Sequence, residues 1–365
     1  MAKLGSSTLV DSTGQLREDV LAARVRDLVR LHRLGHRPIL VSSGAIACGL
    51  GRLGFGERPT ALPDLQAASA VGQGVLFQRY LALFSAHEVT PAQVLLTSAD
   101  LEQRSSYLNA RNTLSRLLDL GVIPVVNEND TTATDELTFG DNDVLAAQVA
   151  ILMSATWLVL LTDRDGLVGV GPDGAVALIG DVPPATRPEE VQLADMQGSR
   201  LGRGGISSKI AAATMATGAG VTCVIASGRA DGVLGAVASG HHVGTRFQPA
   251  ERREPAFKLW LRYAKPSLGR VRIDAGAAKA LSRQGTSLLA VGVNGVEGAF
   301  AAGDAVEVDD SDGRCVGKGI SAFSADDLRQ IAGMKTDDVQ RLFPDAGVEV
   351  IHRDKFVLVE PAGTL

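Results

Sequence analysis

Through the first two thirds of the chain, apolar positions alternate between two rhythms. Val20, Leu21, Val25, Leu28, Val29 and Leu31 recur at helical spacing over residues 16–34 and stop at Gly35, which predicts an amphipathic helix. Apolar runs at 38–41, 94–96, 122–126 and 157–161, and one at 221–226 broken only by Thr222, predict short strands buried on both faces. Helical stretches separate them: one over about 64–87, a polar-faced one from an N-cap at Asp100 to Asp119, and an alanine-rich one at 207–218. Residues 166–180, dense in Gly and Val, predict a hairpin. Strands alternating with helices predict an α/β class fold, an open and mostly parallel sheet in an α/β/α sandwich.

The rhythm changes after Thr245. Residues 248–254 are polar and bracketed by Pro249 and Pro255. From Gly269 onward, short alternating strands at 271–273, 287–291 and 305–308 are separated by glycine-rich turns, the pattern of a small β-barrel. The expected division is an α/β domain over 1–250, a linker over 251–267 and a barrel over 268–365. A chain of 365 residues should hold two cores, since single cores stop growing near roughly 250–300 residues.

A hydrophobic content of 45% with 21% charged residues is that of an ordinary soluble protein. The net charge of −5 argues against a protein that coats nucleic acid or anionic membrane. RNA binding is not expected of the barrel either: Arg270, Arg272, Lys279 and Arg283 are mixed with Asp274, Glu297, Asp304, Asp309 and Asp310, not laid out as a basic stripe. Cys48, Cys223 and Cys315 lack CxxC partners and suit a reducing cytosol. No signal peptide opens the chain, and the longest apolar stretch, 146–161, is broken by Gln148, Ser154 and Thr156 and falls short of the about 20 residues a membrane span needs. It reads as a buried helix running into a buried strand, and the expected location is the cytoplasm.

Candidate chemistry gathers after the 122–126 run. Asn127-Glu128-Asn129-Asp130 and Gly140-Asp141-Asn142-Asp143 follow it closely, at the strand end where open α/β sheets bind ligands. Carboxylates there can hold an ammonium group or orient lysines, and carboxamides both donate and accept. Asp141 reads equally as a cap of the following helix. Glycine-containing turns follow other strands: Lys3-Leu4-Gly5-Ser6-Ser7, Ser42-Ser43-Gly44, Thr162-Asp163-Arg164-Asp165-Gly166, and the loop Gly202-Arg203-Gly204-Gly205-Ile206-Ser207-Ser208-Lys209 that leads into a helix. Glycines let backbone N–H groups approach an anion, and Lys3 and Lys209 supply charge. The set suits phosphoryl transfer, which asks mainly for positioning and charge stabilisation. There is no GxxxxGK[ST] loop, and no Ser/His/Asp or Cys/His arrangement competes.

These motifs, together with 108–113 and in this order, resemble the glutamate 5-kinases of the amino-acid kinase superfamily. The C-terminal residues Gly276-Ala277, Gly285-Thr286-Ser287 and Gly298–Asp304 resemble a PUA domain. The resemblance implies ATP-dependent phosphorylation of the γ-carboxylate of L-glutamate to γ-glutamyl phosphate, for proline synthesis. An acceptor that is already a carboxylate needs no general base. By the same resemblance, Lys3 and Lys209 would stabilise the transferring phosphoryl group and Asp143 would hold both lysines. Ser43, Asp130 and Asn142 would bind glutamate, with Asn127 and Asp141 close by. Lys3, Thr162, Asp163 and the loop residues Arg203, Gly204, Gly205, Ile206, Ser207, Ser208 and Lys209 would contact the nucleotide. Mg2+ would ride on ATP phosphates and waters, with no protein ligand. The implied partners are proline as inhibitor, further copies of the chain in a dimer or tetramer, and γ-glutamyl phosphate reductase as recipient of the product. Two departures stand out: Arg203 replaces the family's usual Thr, and only Met1 and Ala2 precede Lys3. Two residues are too few for a strand of about five, so either the start is misplaced or the first strand is largely missing and Lys3 poorly anchored.

Overall fold

The computed structural model describes residues 1–11, 15–132, 142–170, 174–184, 186, 191, 193, 205–251, 253–263, 265–344 and 347–358. The chain divides into two compact units, Met1–Ala256 and Phe257–Leu365.

The first unit opens with β1 (Ala2–Leu4), α1 (Ser6–Leu9), α2 (Glu18–Arg33), β2 (Leu40–Val41), α3 (Ala45–Leu53), α4 (Leu62–Ser85) and β3 (Pro91–Leu96). It continues through α5 (Ser98–Glu102), α6 (Arg104–Asp119), β4 (Ile123–Glu128), α7 (Asn142–Leu152), β5 (Trp157–Thr162), β6 (Val168–Val170), β7 (Val176–Leu178) and β8 (Asp181–Val182). It closes with α8 (Ile206–Gly218), β9 (Thr222–Ser227), α9 (Val233–Ala238) and β10 (Thr245–Phe247). Eight strands form one sheet in the order β3-β4-β2-β1-β5-β9-β10-β8. From β3 to β9 the pairs are parallel, and β10 runs antiparallel to β9. The central strands are continuous apolar runs because they are covered on both faces. Leu21, Val25 and Leu28 of α2, Tyr80 and Phe84 of α4, and Val233 and Leu234 of α9 pack into one core with strand residues Leu4, Leu40, Val125 and Val159. The expected hairpin is the antiparallel pair β6–β7. Among the described residues, no helix is long and apolar enough to cross a membrane.

Two expectations are corrected here. The first strand is present: β1 lies between β2 and β5, with Lys3 in register with Val41 on one side and Leu160 on the other. Ala2 N donates to Ile39 O and Val159 N to Met1 O, each at 2.9 Å, and the Met1 ammonium donates to Trp157 O at 2.7 Å. Three residues suffice because a strand held along both edges draws its order from its neighbours. Asp100 is not the N-cap. Thr97 caps α5, accepting from Asp100 N at 3.1 Å while Asp100 Oδ2 accepts from Thr97 N at 2.7 Å, a reciprocal capping box. The polar helix begins afresh at Arg104 as α6.

Helices α3 and α4 cross at small residues. A Cβ on Gly49 would fall 1.7 Å from Ala68 O, and one on Gly72 1.8 Å from Ala45 O, so only hydrogen fits at either place. A cavity of about 390 Å³ lies at the amino ends of β1, β2 and β5, lined in part by Met1, Ala2, Pro38, Ile39, Trp157 and Val159.

A helix, α10 (Ala256–Tyr263), occupies part of the span read as linker. Beyond it lie β11 (Ser267–Ile273), α11 (Ala275–Lys279), β12 (Leu288–Leu289), β13 (Val293–Gly298), β14 (Ala305–Asp309), β15 (Cys315–Ile320), α12 (Ala325–Ile331), α13 (Thr336–Leu342), β16 (Glu349–Ile351) and β17 (Phe356–Leu358). Five strands pair in the order β13-β11-β14-β15-β17, with β11–β14 the parallel pair, and β12 pairs β16. Val271, Ile273, Val306 and Val308 pack with Leu328 and Ile331 in a separate core.

Candidate active site

The carboxyl ends of the central strands carry the candidate residues. Lys3 sits within β1, and the chain turns at Gly5 into α1. Ser43 follows β2, and Gly44 caps α3 at φ +95°, a left-handed conformation that suits glycine. Asn127 ends β4 with Glu128, and Asp130 lies two residues beyond. Asn142 and Asp143 open α7, and Lys209 stands in the first turn of α8. The N-caps of α3 and α8 are Gly44 and Gly205, which carry no side chain to cap the first N–H groups of either helix.

Three residues far apart in sequence meet as a buried ionic cluster. Lys3 Nζ is 2.6 Å from Asp143 Oδ1, and Lys209 Nζ donates to Asp143 Oδ2 at 2.9 Å. Lys3 is 4% exposed, Lys209 8% and Asp143 0%, so water screens none of them effectively. Burial alone would push the Asp143 carboxyl up, but the two ammonium groups and their hydrogen bonds outweigh it and hold it below the ordinary carboxylate value. Two ammonium groups thus converge on one carboxylate in a site of low dielectric. An incoming anion, such as a phosphoryl group, can meet both.

Beside this cluster runs a polar relay. Asn142 Nδ2 donates to Ser43 Oγ and to Asn127 Oδ1, both at 3.0 Å. Asn127 Nδ2 in turn donates to Gln73 Oε1 at 2.6 Å. The Ser69 hydroxyl donates to Asp130 Oδ2 at 2.5 Å. Asn142 Oδ1 and Asp130 Oδ1 are buried and have no hydrogen-bond partner among the described residues. Each is an acceptor that a donor such as an ammonium group could satisfy. Burial pushes the Asp130 carboxyl up, against the hydrogen bond from Ser69 and the charge of Arg58. Behind the relay, Ser42 Oγ and the Tyr80 hydroxyl bond at 2.8 Å and fix the end of β2 to α4.

Thr162 closes β5 and donates to Asp163 Oδ1 at 3.1 Å. Gly228, just after β9, donates its N–H to Thr162 O at 2.7 Å. A Cβ there would fall 2.6 Å from Thr8 Cγ2, so glycine lets this turn approach α1.

The structure thus brings together Lys3, Asp143 and Lys209, and separately Ser43, Asn127 and Asn142, with Asp130 held from α4. Gly205, Ile206, Ser207 and Ser208 lead into the turn that carries Lys209, and Thr162 and Asp163 lie at the end of the neighbouring strand. Asp141, Arg203 and Gly204 lie outside the described residues. Ser69 and Gln73 were missed by sequence reasoning; their signal is the spacing of two polar side chains one helical turn apart in a helix otherwise rich in Ala, Leu and Gly. Among the described residues, no group of three or more His, Cys, Asp or Glu is placed to hold a metal ion.

Residues 2–227 match the amino acid kinase family and residues 269–343 the PUA domain. The chain is 46% identical over 364 residues to the glutamate 5-kinase of Synechococcus sp. (strain JA-2-3B'a(2-13)), covering 98% of each chain. It is 44% identical to the glutamate 5-kinase of Nostoc punctiforme, covering 98% of this chain and 99% of that one. To the glutamate 5-kinase of Moorella thermoacetica it is likewise 44% identical, with coverage of 98% and 95%.

Proposed function

Because the chain belongs to the glutamate 5-kinases of the amino acid kinase family, we propose that it transfers the γ-phosphoryl group of ATP to the γ-carboxylate of L-glutamate. The product is γ-glutamyl phosphate, and the reaction opens proline biosynthesis. The observation that carries this reading is the buried Lys3–Asp143–Lys209 cluster, which brings two ammonium groups from distant parts of the chain to one point. Lys3 and Lys209 meet the phosphoryl oxygens as charge shifts during transfer, and Asp143 holds both ammonium groups in place beforehand. Such preorganisation lowers the barrier because nothing must reorient when the reaction occurs. The γ-carboxylate attacks as it stands and gives up no proton.

Glutamate binds at the polar relay. Its α-ammonium group meets Asp130 and the carbonyl oxygen of Asn142, and Ser43 keeps a hydroxyl proton to donate to a substrate carboxylate. Asn127 and Asp141 support this pocket. Thr162, Asp163 and the loop from Arg203 to Lys209 contact the nucleotide. Both Asp143 oxygens already face ammonium groups, so Mg2+ fits on the nucleotide phosphates and waters, where it neutralises phosphate charge.

Proline, which shares an α-carboxylate and an amino nitrogen with glutamate, competes at the same relay. The acyl phosphate is prone to hydrolysis and passes to γ-glutamyl phosphate reductase. The enzyme works in the cytoplasm as a homo-oligomer; three free cysteines suit that compartment.

Hydroxylamine trapping of acyl phosphate, run with ATP and a panel of acidic amino acids, tests the reading. L-Glutamate should give hydroxamate. N-Acetylglutamate should give almost none, since acetylation removes the cation that pairs with Asp130, and an unpaired buried charge costs about 3–5 kcal/mol. Comparable turnover of the two would sink the assignment.

A further inference from the structure

Helix α4 reaches the substrate pocket through two side chains one turn apart, Ser69 and Gln73. Each settles a choice that its neighbour leaves open. An Asn side chain can point either its amide nitrogen or its carbonyl oxygen into a pocket. Gln73 Oε1 accepts from Asn127 Nδ2 at 2.6 Å, and with that bond made Asn127 turns Oδ1 toward Asn142. That oxygen and Ser43 Oγ then take both N–H bonds of Asn142, each at 3.0 Å. The carbonyl oxygen of Asn142 is left as the acceptor with no partner among the described residues. Ser69 makes the corresponding choice for Asp130. It donates to Oδ2 at 2.5 Å and leaves Oδ1 buried and without a partner among the described residues.

We propose that Ser69 and Gln73 are positioning residues for substrate selection, setting Asp130 and Asn142 as two outward acceptors that recognise the α-ammonium group of the amino-acid substrate. This rests on the reading that the phosphoryl acceptor is L-glutamate. Neither residue touches the reacting atoms; both act through the groups that do. Asp130 must be ionised to hold the ammonium group. Its ionisation is favoured by the Ser69 hydroxyl and by Arg58, and opposed by burial. Removing the hydroxyl therefore raises the pH at which Asp130 takes up a proton.

The test compares Ser69→Ala, Ser69→Thr and Gln73→Met with the parent, using L-glutamate and glutarate, its analogue without the α-amine. Losing a hydrogen bond to a charged group should raise KM for glutamate roughly tenfold in Ser69→Ala, with kcat and KM for ATP close to parent values. The preference for glutamate over glutarate should fall by a similar factor, and the acid limb of kcat/KM for glutamate should move to higher pH. Ser69→Thr, which keeps the hydroxyl, should restore most of the preference. Gln73→Met should also narrow the glutamate–glutarate gap, without the pH shift. A parent that makes no acyl phosphate from glutamate would overturn the functional reading itself. An active parent whose Ser69→Ala and Gln73→Met variants keep the parental substrate preference would overturn this inference alone. So would a Ser69→Ala variant that loses glutamate and glutarate turnover equally, because that marks a structural role.

Discussion

Asp143 meets Lys3 at 2.6 Å and Lys209 at 2.9 Å, so losing the acid and losing a base have different consequences. Lys209→Ala leaves Asp143 its contact with Lys3 and, in the proposed role, removes a donor that acts mainly while charge is moving. Its kcat should fall about 100-fold or more, with KM for glutamate near the parent value. Steady-state kinetics with each substrate varied in turn will separate the two; an intact kcat with a raised KM would mean that Lys209 binds glutamate instead. Asp143→Ala removes the carboxylate that lies between two buried ammonium groups. It should lose activity and also about 3–5 kcal/mol of stability, read from urea unfolding. That these three residues meet was legible in the sequence, because each belongs to a recognisable motif. Ser69 and Gln73 were not. Within α4 they look like ordinary polar positions, and only the fold brings them against Asp130 and Asn127.

Elements impose constraints that single residues do not reveal. Helices α3 and α4 touch backbone to backbone at Gly49 and Gly72, and α3 follows Ser43 while α4 carries Ser69 and Gln73. A methyl group at Gly72 would meet Ala45 O at 1.8 Å and Gly49 N at 2.4 Å, atoms that cannot rotate away. Gly72→Ala should therefore cost about 3 kcal/mol in chemical denaturation and raise KM for glutamate as the helices separate. The expected N-terminal strand illustrates the opposite error. Counting residues before Lys3 made β1 look impossible, whereas its order comes from hydrogen bonds to β2 and β5 that no local pattern displays. Lys3 is already held, so an engineered Val- and Ile-rich extension reaching into the cavity at the amino ends of these strands should raise the melting temperature and leave kcat unchanged. A large gain in kcat would show that Lys3 is not yet fixed. Caps were half legible: Thr97 and Asp100 bond each other, and the sequence signature does not say which one opens the helix. At 256–263, two prolines and a charge run outweighed a helix only eight residues long.

At the scale of the whole molecule, every candidate catalytic or binding residue lies at or before Lys209, within the unit Met1–Ala256. A chain ending at residue 255 should stay soluble and make hydroxamate from glutamate. Complete inactivity in a folded truncation would tie the second unit to the chemistry. In the sequence, the change from strand–helix alternation to short alternating strands after Thr245 was visible because each kind of packing leaves its own period. The sheet order was not visible, since pairings between distant strands leave no local trace. That order bears on how the protein is made. Lys3 belongs to a strand in the middle of the sheet, yet β5 ends at Thr162 and the second lysine of the cluster is residue 209. At about 5–20 residues per second, the ribosome needs on the order of 10–40 s to travel from one lysine to the other. Until Thr162 has been made, most of that interval, the segment bearing Lys3 has no β5 beside it and is open to chaperones and proteases. Synthesis paused before Thr162 should leave the amino end cleavable, and full protection should arrive only once β5 has emerged.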